Sequence, residues 1–151
     1  MKILTRISHR RKLRQSGVAA VEFALISAVF FTTLLGMMEM GRMLYYWNSA
    51  AEATRLGARL AVVCDLNDAD IRVRMRHLLA IAPAANISID YQPASCTVDT
   101  CQTVTVSLSN VSVATFIPFV PLTLTIPPFS TSLPRESMRS TVDGQANPMC
   151  G

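Results

Sequence analysis

Few side chains in this sequence could carry chemistry. Glu22 is the most conspicuous, because it is the single charge in the 21 residues from Val18 to Met38. An unpaired carboxylate at membrane depth costs on the order of 2–3 kcal/mol, so Glu22 calls for a cationic partner. Four cysteines, Cys64, Cys96, Cys101 and Cys150, all lie past this run. They could pair as disulfides in an oxidising compartment or, less simply, hold zinc. His9 and His77 are the two imidazoles of the whole chain, which leaves little for metal or acid–base work. His77 sits among arginines with no orienting acid beside it, and the carboxylates are scattered singly. The sequence contains no G-x-S-x-G, Walker A, H-E-x-x-H or G-x-G-x-x-G pattern. We therefore expect no enzyme activity, no catalytic residue, no metal, no cofactor and no small-molecule substrate.

Charge is distributed in a way that decides topology. Half of the 151 residues are apolar and 16% are charged, too apolar and too charge-poor for a disordered chain. Residues 1–17 carry Lys2, Arg6, Arg10, Arg11, Lys12 and Arg14 with no acid, whereas the remainder sets eight arginines against ten carboxylates. The body is thus slightly acidic, and a nucleic-acid partner is not expected. The apolar run from Val18 to Met38 spans roughly 30 Å as a helix, the thickness of a bilayer core. Six cations before it hold the N-terminus in the cytoplasm and send everything after residue 40 across the membrane.

Three readings of this segment compete. A cleaved secretory signal would need small residues at a cleavage site past the apolar run, and the residues around Gly36-Met37-Met38 offer no A-x-A-like site. A plain uncleaved anchor leaves Glu22 unexplained. Cleavage between Gly17 and Val18 would give Val18 a free amino group, and Glu22 lies four residues on, on the same helical face. The buried carboxylate then has an ammonium partner, its own or a neighbouring subunit's.

At this point the residues resemble a known pattern. Gly17-Val18-Ala19-Ala20-Val21-Glu22-Phe23 looks like the processing site of type IV pilin-like proteins, Gly followed by four residues, Glu and an aromatic. More narrowly, residues 17–26, GVAAVEFALI, are similar to the start of TadE-like proteins, minor pilins or pseudopilins of the tight-adherence (Tad, type IVc) pilus system. Glu39-Met40-Gly41-Arg42 and the stretch from Glu52 to Ala61 resemble that family's E-x-G-R and A-x-R-x-G-A-R-x-A segments. The resemblance covers about residues 15–62. It implies a prepilin peptidase cutting after Gly17, with the basic leader serving orientation and recognition. It further implies pairing of Glu22 and Phe23 in assembly, and partnership with other pilins or pseudopilins and the Tad assembly platform. A bacterial inner-membrane location follows, with the C-terminal domain periplasmic or carried into an extracellular pilus, and adhesion and biofilm formation downstream. The competing reading is an unprocessed single-pass envelope protein whose outer domain binds a partner.

The elements that must position these residues are expected to form an α+β fold. It comprises a long N-terminal transmembrane, pilin-like helix, a short helix and a small antiparallel sheet of three to four strands. The divisions expected are a leader over 1–17, a transmembrane half-helix over 18–40, its continuation over 41–64 and a small domain over 65–151. No proline interrupts the chain before Pro83, so the first helix should run from Val18 to about Val63, roughly 69 Å. Ala19, Ala20, Ala24, Ala28, Gly36 and Gly41 are small enough for helix-on-helix packing. Tyr45, Tyr46 and Trp47 should sit just outside the bilayer. Met40, Leu44, Trp47, Ala51, Thr54, Ala58 and Ala61, with the neighbouring row Met43, Tyr46, Ala50, Ala53, Gly57 and Leu60, make one packed face. Asn48, Glu52, Arg55 and Arg59 make the wet one.

Asp68 is expected to cap a second helix whose apolar positions Ile71, Met75, Leu78, Leu79 and Ala82 continue to Pro83. Its arginines 72, 74 and 76 with His77 read as a solvated face. Alternation then predicts strands around Ile87–Tyr91, Val104–Leu108 and Leu122–Ile126, and a last one within Ser130–Arg139 with Pro134 at an edge. The proline-rich apolar stretch Phe116–Pro121 is expected to be a packed loop covering the sheet, the other reading being an exposed patch that touches a partner subunit. Of the three disulfide connectivities we favour Cys96–Cys101, closing the loop between the first two strands, with Cys64–Cys150 tying the tail to the first helix. In the chain-entropy view the long loop is worth on the order of 4 kcal/mol and the short one about 2.

Overall fold

The computed structural model describes residues 15–117 and 121–150. Residues 1–14 of the basic leader, and Pro118, Phe119 and Val120 of the proline-rich stretch, lie outside them. The chain divides into two compact units, one ending at Met40 and the other beginning at Gly41.

The first unit is the opening half of helix α1 (Gln15–Val63). Ala, Leu, Met and Phe dominate it and no proline disturbs it, so the helix is favoured throughout. Its residues from Gly17 to Met40 are exposed, apart from the half-buried Ser27 and Glu39. Thr32 and Thr33 turn their hydroxyls inward, donating to the carbonyls of Ala28 and Val29 at 2.7 and 2.8 Å. Both hydroxyls are thereby satisfied within the helix, as an apolar environment requires.

The second unit holds the rest of α1, helix α2 (Ala69–Leu78), a 3-10 turn (Ala84–Asn86) and seven strands. β1 (Ile87–Gln92), β2 (Thr103–Leu108) and β5 (Phe129–Pro134) form an antiparallel sheet in the order β1-β2-β5. β3 (Ser112–Ala114) and β4 (Thr123–Thr125) form a separate ribbon, as do β6 (Thr141–Val142) and β7 (Gln145–Ala146). Register follows the alternation: Ile89 opposes Val106 and Val106 opposes Thr131, so Ile87, Ile89, Val104, Val106 and Leu108 share the buried face. They join Ala50, Ala53, Ala58, Leu60 and Ala61 of α1 and Ile71 and Met75 of α2 in one core. Small residues on α1 let the layers approach closely, and each large side chain buried contributes about 1.5–3 kcal/mol.

Several expectations are corrected. The row Met40, Leu44 and Trp47 is exposed, whereas Met43 and Tyr46 pack against the core; burial begins in earnest at Ala50, where side chains become small enough for close packing. α2 is capped by Asp68, whose carboxylate accepts from Asp70 N–H at 3.0 Å, but it ends at Leu78, which is itself exposed. Leu79 and Ala82 are buried through a turn instead of a continued helix: Leu79, at φ −133° and ψ 76°, has left helical backbone, and Ala82 N–H donates to Leu79 O at 3.0 Å. The third expected strand shrinks to β4 and pairs outside the main sheet, with Leu124 exposed and only Ile126 reaching the core. Of the stretch expected as a packed loop, Phe116 is 77% exposed and Ile117 half-buried, while Pro118, Phe119 and Val120 lie outside the described residues. The last strand stops at Pro134, at the edge, because residues 136–139 have another role. Glu136 and Met138 N–H donate to Val62 O, and Arg139 N–H and the Ser137 hydroxyl donate to Val63 O, at 2.8–3.1 Å. They satisfy carbonyls that a helix C-terminus leaves orphaned. Met138 is the plug of this strap, fully buried at a left-handed φ of 48°.

Candidate functional site

The residues singled out for processing, Gly17 and Val18, lie within α1. A side chain added at Gly17 would meet nothing within 4 Å, and Val18, Glu22 and Phe23 are all exposed. Val18 and Glu22 are one helical turn apart, about 6 Å along the axis.

The small residues behave alike: Ala19, Ala20, Ala24, Ala28, Gly36 and Gly41 are exposed, and Cβ atoms built at Gly36 and Gly41 touch nothing. Together they leave an apolar surface that is exposed among the described residues. An 18-residue window of this helix is apolar enough to cross a bilayer, and none of it is buried within the protein. By length and composition the segment is able to cross a membrane.

The outer unit carries the other residues of interest. Glu52 and Arg55 form an exposed pair at 3.0 Å, worth only a few tenths of a kcal/mol. Arg76 and His77 are exposed in the last turn of α2, where they complement the helix dipole. Cys64 is bonded to Cys150 and Cys96 to Cys101, so these sulfurs are not thiolates available to zinc. Among the described residues, no buried side-chain nitrogen or oxygen lacks a partner.

Two contacts were not foreseen. Gly57 faces Met75 of α2 so closely that a Cβ would overlap the Met75 sulfur and lie 3.1 Å from its Cγ and Cε. The run of small residues from Ala50 to Ala61 announces a close crossing but does not say with what. Arg42 donates to Ala114 O at 2.5 Å and lies over the Tyr46 ring, 5.8 Å from its centroid. No spacing rule links residues 42 and 114.

Comparison with known proteins gives one match. Residues 17–59 match the model of the family described as TadE-like protein. No curated protein and no solved structure matches the chain. The matched segment contains Gly17, Val18, Glu22, Arg42 and Gly57, and stops short of the outer sheet.

Proposed function

We propose that the chain is a TadE-like minor pilin or pseudopilin that takes part in assembling a Tad pilus, and so in adhesion and biofilm formation. A prepilin peptidase hydrolyses the Gly17–Val18 bond, leaving the Gly17 carboxylate on the leader and an ammonium group on Val18. That ammonium neutralises Glu22, either in the same helix or across to a neighbouring pilin. The protein is a peptidase substrate and an assembly part rather than an enzyme, anchored in the inner membrane with its outer unit in the periplasm.

One observation carries the reading. The family-matched segment begins at Gly17 and places Glu22, the single charge between Val18 and Met38, one turn after an accessible bond on an apolar stretch of helix that is exposed among the described residues. An uncovered apolar helix needs lipid or other helices around it, and a carboxylate among them needs a counter-charge.

N-terminal sequencing of the protein from membranes of its host tests this. The expected mature end is Val18, and Gly17→Ala should leave the full-length chain. Recovery of Met1 beside an active peptidase would instead favour an unprocessed envelope protein.

A further inference from the structure

We propose that the two open edges of the outer sheet pair between copies of this chain, β5 of one molecule beside β1 of the next, so that the sheet continues from subunit to subunit. The proposal deepens the reading of the chain as a pilus assembly part and rests on it. β1 and β5 are the edges of the order β1-β2-β5, and both run antiparallel to β2, hence parallel to each other. A second copy translated across the strands therefore presents its β1 to β5 in parallel. Arg135 N–H donates to Gln102 O and Ser109 N–H to Asn86 O, at 2.9 and 3.1 Å, which fixes the residues that face β2. Because backbone groups alternate sides along a strand, Ser130 and Ser132 of β5 and Ile87, Ile89 and Tyr91 of β1 point theirs away from it.

Ile87 N–H donates to Ala84 O. The N–H groups of Ser130, Ser132, Ile89 and Tyr91 have no partner among the described residues, which leaves these donors open. With Ser130 opposite Ser88 of the next copy, all of them find acceptors inside the two strands: Ser130 N–H on Ile87 O, Ser132 N–H on Ile89 O, Ile89 N–H on Ser130 O and Tyr91 N–H on Ser132 O. The side chains agree with this register. On the core face it lays Phe129 beside Ile87, Thr131 beside Ile89 and Leu133 beside Tyr91, and Phe129, Thr131, Leu133 and Tyr91 are only half-buried within one copy. On the solvent face Ser130 meets Ser88 and Ser132 meets Asp90, with no like charges opposed. Pro128 and Pro134, which have no N–H, and Pro93, just past β1, bound the ladder. Sheet edges are ordinarily blunted by charge, yet no charged side chain lies between Thr100 and Pro134. Pairing β5 with β5 about a two-fold axis would use Ser130 and Ser132 but leave β1 bare and end at a dimer, whereas β5 on β1 repeats from copy to copy, as a part added to a growing filament requires.

The test is cross-linking of the full chain in membranes of its host. The native cysteines are all in disulfides, so Ser88→Cys and Ser130→Cys, both at exposed positions, add free thiols to a chain that has none. With a short bis-thiosulfonate reagent, the chain carrying both substitutions should give a ladder of dimers, trimers and larger species. The two single variants expressed together should stop at dimers, and either alone should give none. Adding Ser132→Pro removes an outward N–H without touching the bonds to β2, and should weaken the ladder about tenfold or more while both native disulfides still form. A dimer from Ser130→Cys alone would overturn the proposal in favour of two-fold pairing of β5. A ladder indifferent to Ser132→Pro would also overturn it, as would monomers throughout. The N-terminus is read from the same samples: a mature end at Val18 without a ladder removes the edge pairing alone, and Met1 with a ladder removes the pilin reading alone.

Discussion

Gly57 shows how one missing methyl sets an approach. Its hydrogen side faces the buried Met75, and there is no room for more. Gly57→Ala gains about 1 kcal/mol of helix propensity but incurs overpacking of about 1–3 kcal/mol, so a net loss of about 1 kcal/mol is expected. Urea denaturation should show it, and in a Met75→Ala background the same change should turn neutral or stabilising. Tyr91 offers a second probe. Its hydroxyl accepts from Asn67 N–H at 3.0 Å, and burial raises its pKa above the ordinary 10.0, outweighing the lowering by Asn67 N–H and Arg72, with Asp68 adding to the rise. The unfolded chain then releases this proton before the folded one does, so ionisation favours unfolding. Stability should be level below the ordinary tyrosine pKa and fall as pH climbs through the raised one. Tyr91→Phe should remove that alkaline slope while costing about 1 kcal/mol at neutral pH, seen in melting curves across pH.

Helix and strand identities were written into local pattern, whereas helix ends and strand partners were not. The two-residue alternation of Ile87–Tyr91 and Val104–Leu108 suffices for β1 and β2, because a one-residue slip would expose every apolar side chain. An Asp143-Gly144 pair also marks the β6–β7 hairpin: both residues take positive φ, 52° and 79°, as a two-residue turn of this kind requires. The strap over the end of α1 has no such mark, since what recruits residues 136–139 is the need of distant carbonyls for donors. The Cys64–Cys150 disulfide fastens the same helix end, across a separation of 86 residues. Replacing both its cysteines by serine should cost about 4 kcal/mol, against about 2 for the Cys96–Cys101 pair, whose separation is 5. Comparative denaturation of the two double variants checks the order, and equal losses would argue against loop length as the cause.

At the scale of the molecule, the two units meet opposite demands. The unit from Gly41 onward builds its own core, while the unit before it presents apolar side chains that only lipid or other helices can cover. Glu22→Ala should therefore leave membrane insertion intact or improve it by about 2–3 kcal/mol, yet impair pilus assembly. Fractionation and piliation, measured together, separate the effects, and normal piliation would remove the pairing role of Glu22. The apolar run, the leader's charge and the spacing of Gly17 from Glu22 are properties of contiguous sequence, so the sequence by itself determined a helix long and apolar enough to cross a bilayer and the processing hypothesis. Only the tertiary structure decided that Arg42 meets Ala114, that Gly57 meets Met75 and that Phe116 faces outward. Those outcomes depend on which distant segments compete for the same core, and no local period records that competition.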